Sequence, residues 1–269
     1  QALGVGDGGQ IAPAYGWRIA FVAIALSGLA IALLYPILVK PRRVDAIGEA
    51  PGTSSSGATG PRPSLRTLFT GQPLLCAYVG SGLQLYVAGA IPAWLPTYFN
   101  RYHGLSVGDA AARSALFLLI AGIGMVLCGI VSDRLSRRNP RAKYSLSVAY
   151  CLGSAAAVAL AFALPAGPIQ LAVLGIAVFL AASTSGPAGA MVAELTPVQI
   201  HATAFATLTL ANNIFGLAPG PILTGRLADS WGLVGALQVL PLASLAAAGL
   251  FLIGGTAYGT GSYRTRGAL

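Results

Sequence analysis

The chain has 269 residues, 55% of them hydrophobic and only 9% charged, with a mean hydropathy of +0.74. A soluble domain carries about 25% charged residues, so this composition excludes an ordinary water-soluble enzyme fold. The formal charge of +9 comes from 16 Lys and Arg against 7 Asp and Glu. These basic residues fall between apolar runs without any aromatic-basic module, which argues for membrane topology and against nucleic acid.

Seven runs are long and apolar enough to cross a bilayer, which takes about 20 residues each: Ile19–Val39, Leu74–Phe99, Ala110–Val131, Tyr144–Leu164, Ile169–Val192, Ala202–Leu227 and Leu233–Tyr258. Lipid leaves no partner for an open backbone, so each run is predicted to be a helix. Their Ala, Gly and Leu content does not alternate as barrel strands do. The expected fold is therefore all-α and polytopic. Between the first and second runs, the stretch from Pro41 to Pro63, with Gly52-Thr53-Ser54-Ser55-Ser56-Gly57 at its centre, is too polar to pack and is predicted to be a linker. It separates one helix from six. Cys76, Cys128 and Cys151 lie inside apolar runs at spacings that fit no zinc motif.

The loops set direction. Lys40, Arg42, Arg43, Arg62, Arg66, Arg134, Arg137, Arg138, Arg141, Lys143, Arg264 and Arg266 share one side if every run spans, and Arg18, Arg101, Arg113 and Arg226 fall on the other. By the positive-inside rule the first group is cytoplasmic, as is the C-terminus.

The third run ends in Gly129-Ile130-Val131-Ser132-Asp133-Arg134-Leu135-Ser136-Arg137-Arg138. A glycine there lets a neighbouring helix approach. An acid at a helix C-terminus needs a compensating donor or cation, and the basic cluster suits anionic lipid heads. Such a run is also what a solvated, topology-setting loop contains. At these residues the chain resembles the major facilitator superfamily of transporters, departing from its signature at Ser136, where glycine is usual. Gly16-Trp17-Arg18 resembles the entry to helix six of that family, and Trp94-Leu95-Pro96-Thr97-Tyr98-Phe99 the outer end of helix seven. Glu194-Leu195-Thr196-Pro197 resembles the turn after helix ten, with His201 where arginine is commoner. Asn212-Asn213, with Gly216, Pro219-Gly220-Pro221 and Gly225, resembles helix eleven. Within the family, spinster-like lipid transporters and, second, organic-anion symporters are the nearest resemblances.

The resemblance implies a C-terminal half: 1–16 as the end of helix five and an outer loop, 17–39 as helix six, 40–72 as a cytoplasmic linker, 73–258 as a six-helix bundle and 259–269 as a cytoplasmic tail. It implies missing helices one to five as the partner, an integral protein of a bacterial inner membrane, and secondary transport of a small organic or amphipathic solute by alternating access. By the same resemblance Gly129, Asp133, Arg134, Arg137, Arg138 and Glu194 form a cytoplasmic gating motif, in which Asp133, Arg134 and Glu194 latch the outward-open state. Three independently solvated charges are the alternative.

Polar residues deep in membrane helices are default site candidates. Gln84 and Tyr86, Thr184, Asn212 and Asn213, and Gln238 qualify; helix–helix hydrogen bonding is the competing use for each. Arg113, at the outer mouth of a helix, is a candidate for an anionic solute. Ser106 and Asp109 precede it at capping-box-like spacing, and Asp109 stands one turn from it as a local ion-pair partner. No carboxylate lies deep in any run. Proton coupling then rests on the missing half, is absent, or gives way to another ion. No cofactor or metal is implied. Two other readings stay open: a truncated or regulatory half without transport of its own, and, more remotely, an intramembrane enzyme. The second needs a base at depth, whereas His103 and His201 both fall in loops.

Overall fold

A computed structural model describes residues 22, 25–35, 67–139 and 141–259. The chain divides into two units, residues 1–60 and 61–269. In the first, α1 (Ala25–Tyr35) is an apolar helix. The expected entry to helix six at Gly16-Trp17-Arg18, the linker residues 40–66, and the tail with Arg264 and Arg266 lie outside the described residues.

The second unit is helical, with no strand among its described residues: α2 (Thr67–Thr70), α3 (Gln72–His103), α4 (Val107–Arg138), α5 (Ala142–Ala163), α6 (Pro168–Ala181), α7 (Ser185–Leu195), α8 (His201–Asn212) and α9 (Pro219–Gly259). Five segments are long and apolar enough to cross a membrane, the last being the 62 residues Val198–Gly259. That length suffices for two passes, and the backbone leaves helical geometry within it at Gly232 (φ 74°, ψ 162°). The six runs predicted between 74 and 258 thus correspond to these segments.

Local chemistry explains the ends. Pro73 opens α3 where a missing N–H costs nothing, and Gly104 closes it at φ 64°, its N–H donating to the Phe99 carbonyl. Ser106 caps α4: its Oγ accepts the Asp109 N–H at 3.1 Å, and its hydroxyl donates to the Asp109 carboxylate at 2.7 Å. The predicted cap is therefore present. The Asp109–Arg113 ion pair does not form, because that carboxylate faces back toward Ser106.

Two predicted helices are interrupted. The run 169–192 breaks between α6 and α7 at Ala182–Thr184. Pro187 can neither donate to nor make room for the carbonyl four residues before it, and Ser183 donates its hydroxyl to the Leu180 carbonyl at 2.5 Å across the break. The run Ala202–Leu227, the eleventh helix by the family resemblance, contains a π-turn at Asn213–Leu217, closed by the Ala218 N–H on the Asn213 carbonyl.

Close backbone crossings set the packing. A Cβ on Gly124 of α4 would stand 2.3 Å from the Phe179 carbonyl oxygen of α6, and one on Gly186 of α7 would stand 3.0 Å from the Gly129 Cα. By spacing alone the close approach falls to Gly129. In the structure a Cβ on Gly129 meets nothing within 4 Å, and the residues that must stay small are its neighbours Gly124 and Gly186. On the other side, α3 meets the eleventh helix through Gly82, Gly216 and Gly220; Cβ atoms on the last two would press the Gly82 and Tyr86 carbonyl oxygens at 2.4 and 2.6 Å. The largest apolar cluster, built on Ile91, Leu95, Phe99, Phe117, Val158, Leu174 and Leu237, ties α3, α4, α5, α6 and α9 together.

Candidate functional site

The break between α6 and α7 lies against the middle of α3. Gln84 is fully buried there, its Nε2 donating to the Ala181 carbonyl at 3.3 Å, while its Oε1 is buried without a partner. Thr184 is buried at the same break, 1% exposed. Ser81, one turn back on α3, is buried with its hydroxyl unpartnered. An orphan amide oxygen in a low-dielectric interior carries a desolvation cost of about 1–3 kcal/mol unless something donates to it. Gln84 therefore offers an acceptor beside interrupted backbone, the combination found where helices break around a solute.

The eleventh helix supplies a second polar point. Asn212, at the lip of the π-turn, has its Oδ1 buried and unpartnered. π-turns interrupt the regular ladder and cluster at functional positions. Asn213 is satisfied instead, donating to the Thr209 carbonyl at 2.8 Å from an exposed face. Gly82, which meets the eleventh helix, and Gln84, which meets α6, are two residues apart and so project from nearly opposite faces of α3. α3 stands between the two polar points. Tyr86 is half-buried, and its backbone rather than its hydroxyl defines the crossing with Gly216 and Gly220.

Gln238 and Arg113 lie elsewhere. Gln238 donates to the Phe162 carbonyl at 2.9 Å, joining α9 to the end of α5. Arg113 is exposed near the start of α4 and has no ion-pair partner among the described residues.

At the other end of the bundle the charges arrange differently from the latch expected by resemblance. Glu194, at the end of α7, pairs with Lys143 of α5 and accepts the Tyr258 hydroxyl of α9 at 2.5 Å. This is the single ion pair among the described residues. Asp133, Arg134 and Arg137 are exposed and make none, and the side chain of Arg138 lies outside the described residues. The reason is placement: the first turn of α5 runs alongside the last turn of α7, so Lys143 reaches the acid before the end of α4 does. Arg141 donates to the Gly259 carbonyl at 2.9 Å, tying the starts and ends of the same helices. His201, in the position where arginine is commoner, donates from Nε2 to the Thr196 carbonyl at 2.9 Å and closes the turn onto α8.

Two of these partners carry no mark in the sequence. Lys143 counts there only toward topology, and Tyr258 only as the last residue of a run; both stand on the side assigned to Glu194, which is the available signal. Gln170, which meets Tyr98 and His103, is equally unmarked. Gln170, 1% exposed, donates to the Tyr98 hydroxyl and accepts from His103 at 3.1 Å.

Known proteins are similar to the chain in sequence and fold. The chain is 28% identical over 225 residues to an MFS-type efflux pump of Mycolicibacterium smegmatis, covering 83% of this chain and 51% of that protein. It is 26% identical over 232 residues to a hexuronate transporter of Bacillus subtilis, covering 83% and 54%. The chain thus spans about half the length of the curated relatives it matches. Its fold is similar to a bacterial homolog of the human lysosomal transporter spinster in an inward-facing, unoccupied conformation, with a TM-score of 0.59 at 18% identity over 90% of this chain and 58% of that one. The sequence profile of the Major Facilitator Superfamily matches residues 1–219, and with the helix bundle and the Gly129–Arg138 segment in view, the chain belongs to that superfamily.

Proposed function

We propose that this chain is the C-terminal half of a secondary transporter that moves a small organic or amphipathic solute by alternating access. The observation that carries the reading is the Gln84 amide oxygen, buried and unpartnered beside the interrupted Ala182–Thr184 backbone. Asn212 at the π-turn adds a second unpartnered oxygen. Both are acceptors, so they suit a solute that brings hydroxyl, amide or ammonium donors. Arg113, exposed at the opposite end from Glu194, is assigned to the first encounter with an anionic group. The relatives named as an efflux pump and a hexuronate transporter support an organic solute.

In this reading helices one to five complete the protein, residues 40–72 link the halves, and the bundle of 73–258 rocks against the missing half. The protein lies in a bacterial inner membrane with the Lys143–Glu194 end and the C-terminus in the cytoplasm, on the twelve-to-four distribution of basic residues. Gly129, Asp133, Arg134, Arg137 and Arg138 face the cytoplasm, where Asp133 and Arg134 are free to pair across the halves.

The test is solute flux into proteoliposomes holding the chain joined to the five-helix half of a relative. Saturable uptake of an organic solute, lost in Gln84→Leu, is expected. Absence of flux for organic anions, sugars, drugs and lysolipids alike overturns the reading. The rival is a half without transport of its own. It predicts that adding the five helices restores nothing.

A further inference from the structure

The end of the bundle that carries Arg141 contains a cleft of about 610 Å³ between α5 and α9. Its floor is apolar, formed by Val148 and Phe251, and its rim carries Arg141, Ser145 and Thr256. Gly255 lines it and packs so closely on α5 that a Cβ would lie 2.9 Å from the Tyr144 side chain. Arg141 gives one N–H to the Gly259 carbonyl and has no carboxylate within ion-pair distance among the described residues; the nearby acid, Glu194, is engaged by Lys143. A guanidinium has five N–H donors, so a charge held in place at the cleft mouth keeps most of its donors. A second hollow, lined by Arg134, Arg137 and Asn139, shares the same turn before α5 and adds positive charge without an acid. From the cleft, the exposed side chains Leu252, Leu245 and Leu242 continue an apolar track along α9.

We propose that this cleft is a binding site for one anionic phospholipid. The phosphate sits on Arg141 and an acyl chain runs over Val148 and Leu252; the Ser145 and Thr256 hydroxyls only border the rim, since they donate to the Arg141 and Ile253 carbonyls. Charge complementarity selects this occupant: a cation at an interfacial rim above an apolar groove matches a phosphate above a hydrocarbon tail, and basic pockets between membrane helices bind such headgroups. A zwitterionic lipid brings its own cation to the same rim and gains less. The site is separate from Gln84 and Asn212 and does not depend on transport.

Native mass spectrometry of the complete chain in neutral detergent, with equal palmitoyl-oleoyl phosphatidylglycerol and phosphatidylcholine, tests it. Retention of one phosphatidylglycerol per chain, at least tenfold over phosphatidylcholine, is expected. Arg141→Gln, which keeps an amide donor for Gly259, is expected to abolish that preference. Ser145→Trp, which fills the exposed rim and leaves Arg141 in place, is expected to lower retention of both lipids, and Arg101→Gln at the opposite end to change nothing. Variants are compared at equal thermal midpoint, and either cleft variant alone is decisive should the other fail to fold. Equal retention of the two lipids, or undiminished phosphatidylglycerol on the cleft variants, overturns the assignment. Displacement of the lipid by millimolar inorganic phosphate overturns it in favour of a free-phosphate site.

Discussion

Gly186 and Gly129 cross so closely that a methyl on Gly186 would stand 3.0 Å from the Gly129 Cα, while a methyl on Gly129 would point into open space. The two glycines of one crossing are therefore not equivalent. Gly186→Ala and Gly124→Ala, whose Cβ would lie 2.3 Å from a backbone oxygen, are expected to destabilise the bundle by about 1–3 kcal/mol through overpacking. Gly129→Ala is expected to stay within about 0.5 kcal/mol. Reversible unfolding in mixed micelles reads the difference, and equal sensitivity at all three positions would show the crossing to be misjudged.

Gln84→Leu separates structure from transport. It deletes the bond to the Ala181 carbonyl but also removes a buried oxygen with no partner, so the two effects offset. Helix–helix hydrogen bonds in membranes average about 0.6 kcal/mol, and the net change in stability is expected to stay below about 1 kcal/mol. Uptake by the completed transporter is expected to fall at least tenfold. A variant that unfolds more readily yet transports normally would reduce Gln84 to a helix clamp.

Lys143, Glu194 and Tyr258 join three helices at one end. The Glu194 side chain is 34% exposed, so solvent screens the pair, and exposed ion pairs contribute about 0–1 kcal/mol. A double-mutant cycle with Lys143→Met and Glu194→Gln is expected to give a coupling in that range, smaller in molar salt. A coupling near zero at low salt would leave the Tyr258 hydroxyl as the partner of consequence for Glu194, testable by Tyr258→Phe.

Arg113 has no ion-pair partner among the described residues, so Arg113→Gln is expected to leave unfolding unchanged. With an anionic solute its KM is expected to rise several-fold while kcat holds, the signature of lost ground-state attraction. An unchanged KM for every anionic solute transported would free Arg113 of any role in recognition.

The spans were legible in the sequence because hydrophobic length is a direct physical requirement of the bilayer. The Ser106–Asp109 cap was legible at the same level, since it satisfies backbone groups within a few residues. What sequence left hidden was relational. The run 169–192 reads as one helix until Pro187 is weighed against the carbonyl it displaces. Nothing local marks Asn213–Leu217 as a π-turn; it lies where Gly216 crosses Gly82 of another helix too closely for a Cβ. Asp133 and Arg134 drew attention through their motif, whereas Glu194 went to Lys143, a choice set by which helix ends are neighbours. Gln238 looked like any deep polar residue until its bond to Phe162 fixed it between α5 and α9.

Gly232 joins the last two spans with φ 74° and ψ 162°, a conformation that essentially only glycine adopts. A loop of several residues would absorb the tilt of either span as slack. One residue has only two dihedral angles with which to do so. Tilt of the π-turned eleventh helix beyond that small allowance must be transmitted to the second half of α9. Its far end carries Tyr258 on Glu194. In the proposed transport cycle so short a connection would pass tilt of the eleventh helix to the end of α9 that carries Tyr258.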